Sequence, residues 1–173
     1  STLDTVLMAR QPYLGRFENE RLADIEIAKE AMKQTDTWKF RDRLVTQLSG
    51  GEIQRVVIAR ALAQQADILV MDEPVAHLDI YNQLELFNLI KELQHERELT
   101  IIVALHDLNL ACQYSDEIVL LKDGHIIAKG NPREVVTKKH IQYVYGVDVD
   151  IIEKPRTGLP YILIYDVKNS PSR

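Results

Sequence analysis

A strand, a helix and a second strand follow one another near the middle of this 173-residue chain and constrain its fold most strongly. Residues 68–71 and 100–104 form short continuous apolar runs, which are typical of strands buried on both faces. Residues 79–96 between them show helical spacing, with Leu86, Leu89, Ile90 and Leu93 on the buried side. Two strands joined by one such helix predict a parallel pair, so we expect an α/β fold.

The residues before this unit predict mostly helix. The first helix is expected over residues 18–34, with one apolar face formed by Leu22, Ile25, Ala28 and Met32. A second helix is expected from Ser49 to about Gln65, with apolar positions at Ile53, Val57 and Ala61. Residues 10–17 are typical of an exposed loop, and the polar connector 35–47 carries Trp38 and Phe40, which we expect to pack inward.

The residues after the unit predict a β-hairpin, two short helices and two strands. The hairpin spans residues 117–128 around an Asp123-Gly124 turn, and Pro132 begins the first short helix. Residues 138–145 predict the second helix, and the alternation at 147–151 predicts a strand that pairs with residues 161–165. The chain is therefore divided into a helical region (1–66), a core region (67–130) and a C-terminal region (131–173).

Composition and charge exclude several classes of protein. The net charge of -5 argues against a general nucleic-acid binder, so no nucleic-acid partner is expected. The single cysteine, Cys112, excludes an internal disulfide and favours a buried apolar role. No apolar run approaches the roughly 20 residues that a membrane-spanning helix needs. Any connection with a membrane is therefore expected to go through a partner.

Residues 48–52, which read Leu48-Ser49-Gly50-Gly51-Glu52, open the second predicted helix. Ser49 is a candidate N-cap, and Glu52 stands three residues later, as in a capping box. The adjacent glycines allow another surface to approach the backbone. Free N–H groups and the positive end of the helix dipole favour phosphate here. The alternative is a well-capped helix with no ligand.

Acidic and imidazole side chains follow the two predicted strands. Asp72 and Glu73 stand at the carboxyl end of the first strand, where open α/β sheets bind ligands. Asp72 is a candidate for holding Mg2+ through water, and Glu73 for orienting or deprotonating an attacking water. His106 follows the second strand and is expected at the same edge, within reach of a terminal phosphate. The alternatives are solvated carboxylates and a structural histidine, and Asp79 is also a candidate N-cap.

Together these residues resemble the ATP-binding cassette (ABC) family. Residues 48–52 resemble its signature motif, residues 68–74 its Walker B strand, residues 76–79 its D-loop, and His106 its switch histidine. The resemblance implies a partial ABC-type P-loop NTPase domain: a helical subdomain, the second half of a mainly parallel RecA-like core sheet, and a C-terminal β-hairpin. It also implies ATP and Mg2+ as cofactors and a head-to-tail dimer with a second ATPase subunit.

The resemblance assigns a role to each site residue. Leu48, Ser49, Gly50, Gly51 and Glu52 would hold the ATP that is bound to the other subunit. Asp72 would serve Mg2+, Glu73 would act on the water, and His106 would stabilise the transition state. Asp79 would couple the two sites.

Further stretches resemble the importers of ferric siderophores, haem or cobalamin: residues 6–10, 12–15, 77–80 and 106–111. This resemblance implies a peripheral protein at the cytoplasmic face of the cell membrane. Its partners would be polytopic permease subunits and, indirectly, a periplasmic or surface substrate-binding protein. Alternatives are a soluble cassette ATPase acting in DNA repair or on ribosomes, and a non-catalytic remnant. Residues 1–47 show no coiled-coil heptads of the repair type, and neither tandem cassettes nor basic linkers of the ribosomal type are visible.

One departure from the family is large. The 173 residues contain no G-x-x-x-x-G-K-[ST] phosphate loop. The glutamine loop, which in the family precedes a segment like residues 1–10, is missing as well. We therefore expect the chain to be a fragment of a longer ATPase and to be inactive alone.

Overall fold

The computed structural model describes residues 1–15 and 20–167, which fall into two compact units that divide after Ala104. The first unit contains four α-helices, two strands and three short 3₁₀ segments. The helices and strands are α1 Thr2–Leu7, α2 Leu22–Gln34, α3 Gly50–Ala63, β1 Ile68–Asp72, α4 Ile80–Arg97 and β2 Thr100–Ala104. The 3₁₀ segments are Met8–Tyr13, Trp38–Phe40 and Val45–Gln47.

Strands β1 and β2 pair in parallel, as the sequence predicts. Their register runs from Ile68 opposite Thr100 to Asp72 opposite Ala104. The connecting helix α4 begins after its N-cap Asp79 and ends before its C-cap Glu98, which adopts the left-handed conformation. Its four predicted buried residues are each less than 9% exposed: Leu86, Leu89, Ile90 and Leu93. The βαβ unit is therefore confirmed.

The prediction that these strands are buried on both faces is wrong for the described residues. Ile68 and Val70 in β1 are 58% and 70% exposed, and Ile102 in β2 is 55% exposed. Leu69 and Met71, on the opposite face of the sheet, are half-buried. Within the described residues, one face of the β1–β2 sheet is therefore shielded from solvent and the other is exposed. Continuous apolar runs are instead typical of a sheet that is shielded on both faces.

Helices α1, α2 and α3 form the helical core of this unit. Val6, Met32 and Ala59 are fully buried at its centre. The predicted apolar face of α3 is wrong, because Val57 is 42% exposed. The residues that α3 buries are Val56, Ile58, Ala59, Leu62 and Ala63. Helix α3 is apolar on several sides, so periodicity alone does not identify the buried face, and small alanines let α3 pack closely.

Helix α2 begins at Leu22, which is 84% exposed rather than part of the apolar face. A first-turn residue can lie beyond the packed surface while Ala28 and Met32, further along the same face, are fully buried. Residues 18 and 19, where the sequence predicts the start of this helix, lie outside the described residues. Phe40 is buried, as predicted, and Trp38 is half-buried.

Arg10 contradicts the prediction of an exposed loop over residues 10–17, because it is only 6% exposed. Its Nε donates to Asp24 Oδ1 at 2.9 Å, and its Nη1 donates to the Ala63 carbonyl at 2.9 Å and to Gln65 Oε1 at 3.1 Å. The guanidinium also lies 4.1 Å from the centre of the Tyr13 ring. These contacts join the 3₁₀ segment to α2 and to the end of α3. Residues 16 and 17 lie outside the described residues.

The second unit contains α5 Leu108–Tyr114, β3 Ile118–Lys122, β4 His125–Gly130, α6 Pro132–Val135, α7 Lys138–Tyr145, β5 Val147–Glu153 and β6 Pro160–Val167. The pairs β3–β4 and β5–β6 are antiparallel, as predicted. Asp123 and Gly124 have φ values of +50° and +76°, which is the geometry of a two-residue hairpin turn. The division into three regions at residues 66 and 130 stays a prediction.

Cys112 lies in the core of the second unit, where it is 1% exposed. Its neighbours in this core are Ile118, Leu120, Val135, Val136, Ile141, Val149 and Ile162. Burial raises the pKa of the Cys112 thiol to about 11, and the charge of Asp107 contributes. A thiol with this pKa is protonated at neutral pH, so the cysteine behaves as a small apolar residue.

Candidate functional site

The start of α3 forms the capping box that the sequence predicts. The Ser49 N–H and hydroxyl both donate to Glu52 Oε2, at 2.7 Å and 2.9 Å. The Glu52 N–H points back to Ser49 Oγ at 3.4 Å. The bonds from the backbone N–H and the hydroxyl of Ser49 lower the pKa of Glu52, and Arg43 and Lys39 act in the same direction. Glu52 is therefore held as a carboxylate at the first turn.

The paired glycines of α3 lie against the start of α4. A Cβ on Gly51 would stand 3.0 Å from Asn82 Oδ1 and 3.3 Å from Asn82 Cγ, which is tighter than an ordinary contact. A Cβ on Gly50 would stand 3.5 Å from Leu78 Cδ2, which is an ordinary contact. The close approach of the two helices therefore favours glycine at residue 51, because any side chain there would displace the Asn82 amide.

Asp79 fixes the Asn82 side chain that Gly51 contacts. Its carboxylate accepts from the Asn82 N–H and from Asn82 Nδ2, each at 2.8 Å. These bonds, led by that from the backbone N–H of Asn82, lower the pKa of Asp79. The structure thus brings Gly51 and Asp79 together through Asn82, which the sequence reasoning missed. The spacing of Asp79 and Asn82, which is that of an N-cap and its third helical residue, could have indicated it.

Asp72 and Glu73 lie where β1 ends, and both side chains are exposed. The Glu73 N–H donates to the Ala104 carbonyl at 3.1 Å, which extends the β1–β2 ladder. Glu73 and His77 have φ values of +43° and +66°, which are unusual for residues other than glycine. The turn between them joins the two acids to the Asp79 cap. Such outliers are frequent at functional sites.

The chemistry of the two acids fits a magnesium site that is completed by a ligand. Among residues 1–15 and 20–167, no three His, Cys, Asp or Glu side chains are grouped closely enough to hold a metal ion. Mg2+ usually binds one or two carboxylates and takes its other ligands from water and substrate phosphates. An exposed carboxylate at Asp72 fits that requirement, and Glu73 is the neighbouring carboxylate that could act on water.

His106 belongs to the second unit, and its position relative to the two acids stays a prediction. It directly precedes Asp107, the N-cap of α5, whose Oδ1 accepts from the N–H groups of Asn109 and Leu110 at 2.8 Å and 3.0 Å. The backbone after His106 is therefore fixed by a capped helix.

None of the described helices is both long and apolar enough to cross a bilayer.

Comparison with known proteins shows which family the chain resembles. Residues 4–76 match the model of the ABC transporter family, and this range includes Ser49, Gly50, Gly51, Asp72 and Glu73. An uncharacterised ABC transporter ATP-binding protein of Methanocaldococcus jannaschii is 42% identical over 163 residues, which are 94% of this chain and 62% of that protein. The ferric enterobactin transport ATP-binding protein FepC of Escherichia coli is 39% identical over 160 residues, which are 92% of this chain and 59% of that protein. The chain thus spans about three fifths of the length of these relatives.

Solved structures show the same fold. A metal-chelate type ABC transporter in an inward-facing conformation superposes with a TM-score of 0.87 at 24% identity, covering 95% of this chain and 67% of that chain. The cbiO1 protein of Clostridium perfringens, part of the ABC transporter complex cbiONQ, superposes with a TM-score of 0.70 at 30% identity, covering 83% and 55%. The expected fold, a partial ABC-type P-loop NTPase domain with a C-terminal hairpin, is confirmed. Residues 4–76 thus match the ABC transporter family, and the chain over most of its length is similar to ABC transporter ATP-binding proteins.

Proposed function

We propose that this chain supplies part of the ATP-binding and ATP-hydrolysing subunit of an ABC importer that takes up a metal chelate such as a ferric siderophore, haem or cobalamin. The observation that carries the proposal is the contact between the capped start of α3 and the Asp79 turn, which follows the two acids directly. Relatives named for ferric enterobactin transport and for cobalamin import support the substrate class.

The start of α3 serves ATP that is bound to a second subunit in a head-to-tail dimer. Ser49 and Gly50 are exposed, so the N–H groups of the first turn and the positive end of the helix dipole face outward. Phosphate is the ligand that such a helix start attracts. Leu48, which is 8% exposed, anchors the motif in the core, and Glu52 fixes its first turn.

The two acids and His106 serve hydrolysis. Asp72 holds Mg2+ through water, and Glu73 orients or deprotonates the attacking water. Neutral or protonated imidazole can donate a hydrogen bond to a terminal phosphate, so His106 stabilises the transition state. Asp79 couples the two nucleotide sites of the dimer through its contact with Asn82 and the start of α3.

The partners follow from this assignment. The ATPase binds polytopic permease subunits at the cytoplasmic face of the membrane, as a peripheral protein. A periplasmic or surface substrate-binding protein delivers the chelate to the permease and acts on the ATPase only indirectly.

The 173 residues alone neither bind ATP tightly nor hydrolyse it, because they contain no phosphate loop. The backbone N–H groups and lysine of that loop supply most of the attraction for a polyphosphate. Calorimetric titration of the 173-residue chain with magnesium-ATP is expected to give no tight binding. One-to-one binding with a micromolar dissociation constant by a monodisperse, mass-verified chain would contradict this expectation.

The complete gene product provides the main test. Glu73→Gln is expected to keep ATP binding and to lower steady-state hydrolysis by about 10²–10⁴-fold, because the amide cannot accept the proton. Glu92→Gln, at an exposed position on α4, is the matched control and should leave hydrolysis unchanged. Ser49→Arg should spare ATP binding by the isolated subunit while blocking the ATP-driven dimer.

Two results would contradict the proposal. Normal hydrolysis by Glu73→Gln would exclude its assigned role. Equal loss of nucleotide binding and dimer formation in Ser49→Arg would show that residue 49 does not serve the partner's nucleotide.

A further inference from the structure

The side-chain amide of Asn109, in the first turn of α5, bonds both backbone groups of one residue in β6. Asn109 Nδ2 donates to the Ile162 carbonyl at 3.2 Å, and the Ile162 N–H donates to Asn109 Oδ1 at 2.8 Å. The amide therefore pairs with β6 as a neighbouring strand would. Of the side chains of this size, only an amide offers both the donor and the acceptor that this pairing needs.

Two further contacts dock α5 on the hairpin β5–β6. Lys154, in the loop after β5, donates to Gln113 Oε1. Cys112 packs in the same buried cluster as Val149 of β5 and Ile162 of β6. The C-terminal hairpin thus contacts α5 near its start and near its end. Of these contacts, the Asn109 pair is the nearest to His106 in the sequence.

The same turn of α5 determines where the backbone leaves His106. Asp107 caps α5 by accepting from the N–H of Asn109, and Asn109 in turn is fixed by Ile162. A hydrogen-bonded chain therefore runs from β6 through Asn109 to the residue that follows His106. A shift of α5 along β6 would move this chain and, with it, the histidine backbone.

We propose that Asn109 is a positioning residue for His106 and that the hairpin β5–β6 is the element against which the histidine is aligned. This inference rests on the proposed function, in which His106 acts in ATP hydrolysis. The donor and the acceptor of the Asn109 amide are both used by Ile162, so the residue is assigned no contact with the nucleotide. Its loss should therefore lower the rate of the chemical step without weakening ATP binding.

The test is a double-mutant cycle in the complete gene product. His106→Ala is expected to lower kcat about 10²-fold, as loss of a transition-state donor does. Asn109→Ala should lower kcat about tenfold, because a small misplacement of a catalytic group is costly, and leave KM for ATP within about twofold. The double variant should match His106→Ala within about twofold, because Asn109 acts only through the histidine.

Gln142→Ala is the matched control. Gln142 lies on α7, and its Nε2 donates to Asp148 Oδ1 at 2.9 Å, so this variant removes a side-chain contact between β5 and a helix other than α5. It should leave kcat unchanged. If Asn109→Ala does not fold, Asn109→Asp takes its place, because a carboxylate still accepts from the Ile162 N–H but cannot donate to the Ile162 carbonyl.

The outcomes separate the two proposals. Unchanged kcat in His106→Ala would overturn the assigned role of the histidine. Normal kcat in Asn109→Ala, together with a large loss in His106→Ala, would overturn the positioning role alone. Multiplicative effects in the double variant, about 10³-fold in total, would mean that Asn109 acts independently of His106 and would also overturn the inference.

Discussion

Arg10→Ala tests whether the buried cluster around Arg10 stabilises the helical core. The Arg10 side chain is 7% exposed, and the substitution removes three hydrogen bonds as well as the contact with the Tyr13 ring. Loss of one partner from a buried ion pair costs about 3–5 kcal/mol, because the remaining charge loses its compensation. With a urea m-value of about 2 kcal/mol/M, the unfolding midpoint should fall by about 1.5–2.5 M.

The assay is urea titration of the complete gene product, followed by far-UV circular dichroism. Lys39→Ala is the matched control, since it removes a charge whose ion pair with Asp36 is largely exposed. Exposed pairs contribute about 0–1 kcal/mol, so this midpoint should move by less than about 0.5 M. Arg10→Lys keeps the charge but loses the planar fork, and an intermediate midpoint is expected. Equal shifts in Arg10→Ala and Lys39→Ala would refute the reasoning.

Three further predictions concern single side chains. Gly51→Ala should lower Tm by a few degrees and reduce hydrolysis, because the alanine Cβ would push the Asn82 side chain away from Asp79. The control Gly50→Ala should change Tm little, and equal melting curves for the two variants would contradict this prediction. In the native protein, iodoacetamide should modify Cys112 at least about 10²-fold more slowly than in urea, and comparable rates would show that the thiol is accessible. The lowered pKa of Glu52 adds stability above its ordinary pKa, and this contribution is lost as the pH falls through the lower, folded-state value. Glu52→Gln should therefore melt with a weaker pH dependence on the acidic side, and identical profiles would exclude the effect.

Local patterns predict much of this fold because their causes lie within a few residues. The Ser49 capping box, the Asp123-Gly124 turn and the parallel βαβ unit depend on neighbouring residues or on one short crossover. Each is visible in the sequence and confirmed by the structure. The same holds for the buried side of α4, where apolar residues occupy one stripe.

Features that depend on distant partners were not predictable. Arg10 is buried because Asp24 and the Ala63 carbonyl, 14 and 53 residues away, compensate its charge. No local pattern distinguishes such an arginine from an exposed one. Likewise, Asn109 pairs with Ile162, 53 residues later. The candidate site shows the same difference between local and distant contacts. Its motifs are short and visible in the sequence, whereas the contact of Gly51 with Asn82 exists only because α3 packs against the start of α4.

The left-handed backbone at Glu73 places stability and function in competition at one position. A φ of +43° is unfavourable for glutamate, and glycine there would relieve about 1 kcal/mol of strain. Glycine would also remove the carboxylate that the proposed mechanism needs. A library randomised at residue 73 should therefore diverge. Selection for heat resistance alone would enrich glycine and asparagine, whereas selection for the proposed ATP hydrolysis would retain glutamate. The strain at this turn would then be a trait maintained by selection for activity, against selection for stability.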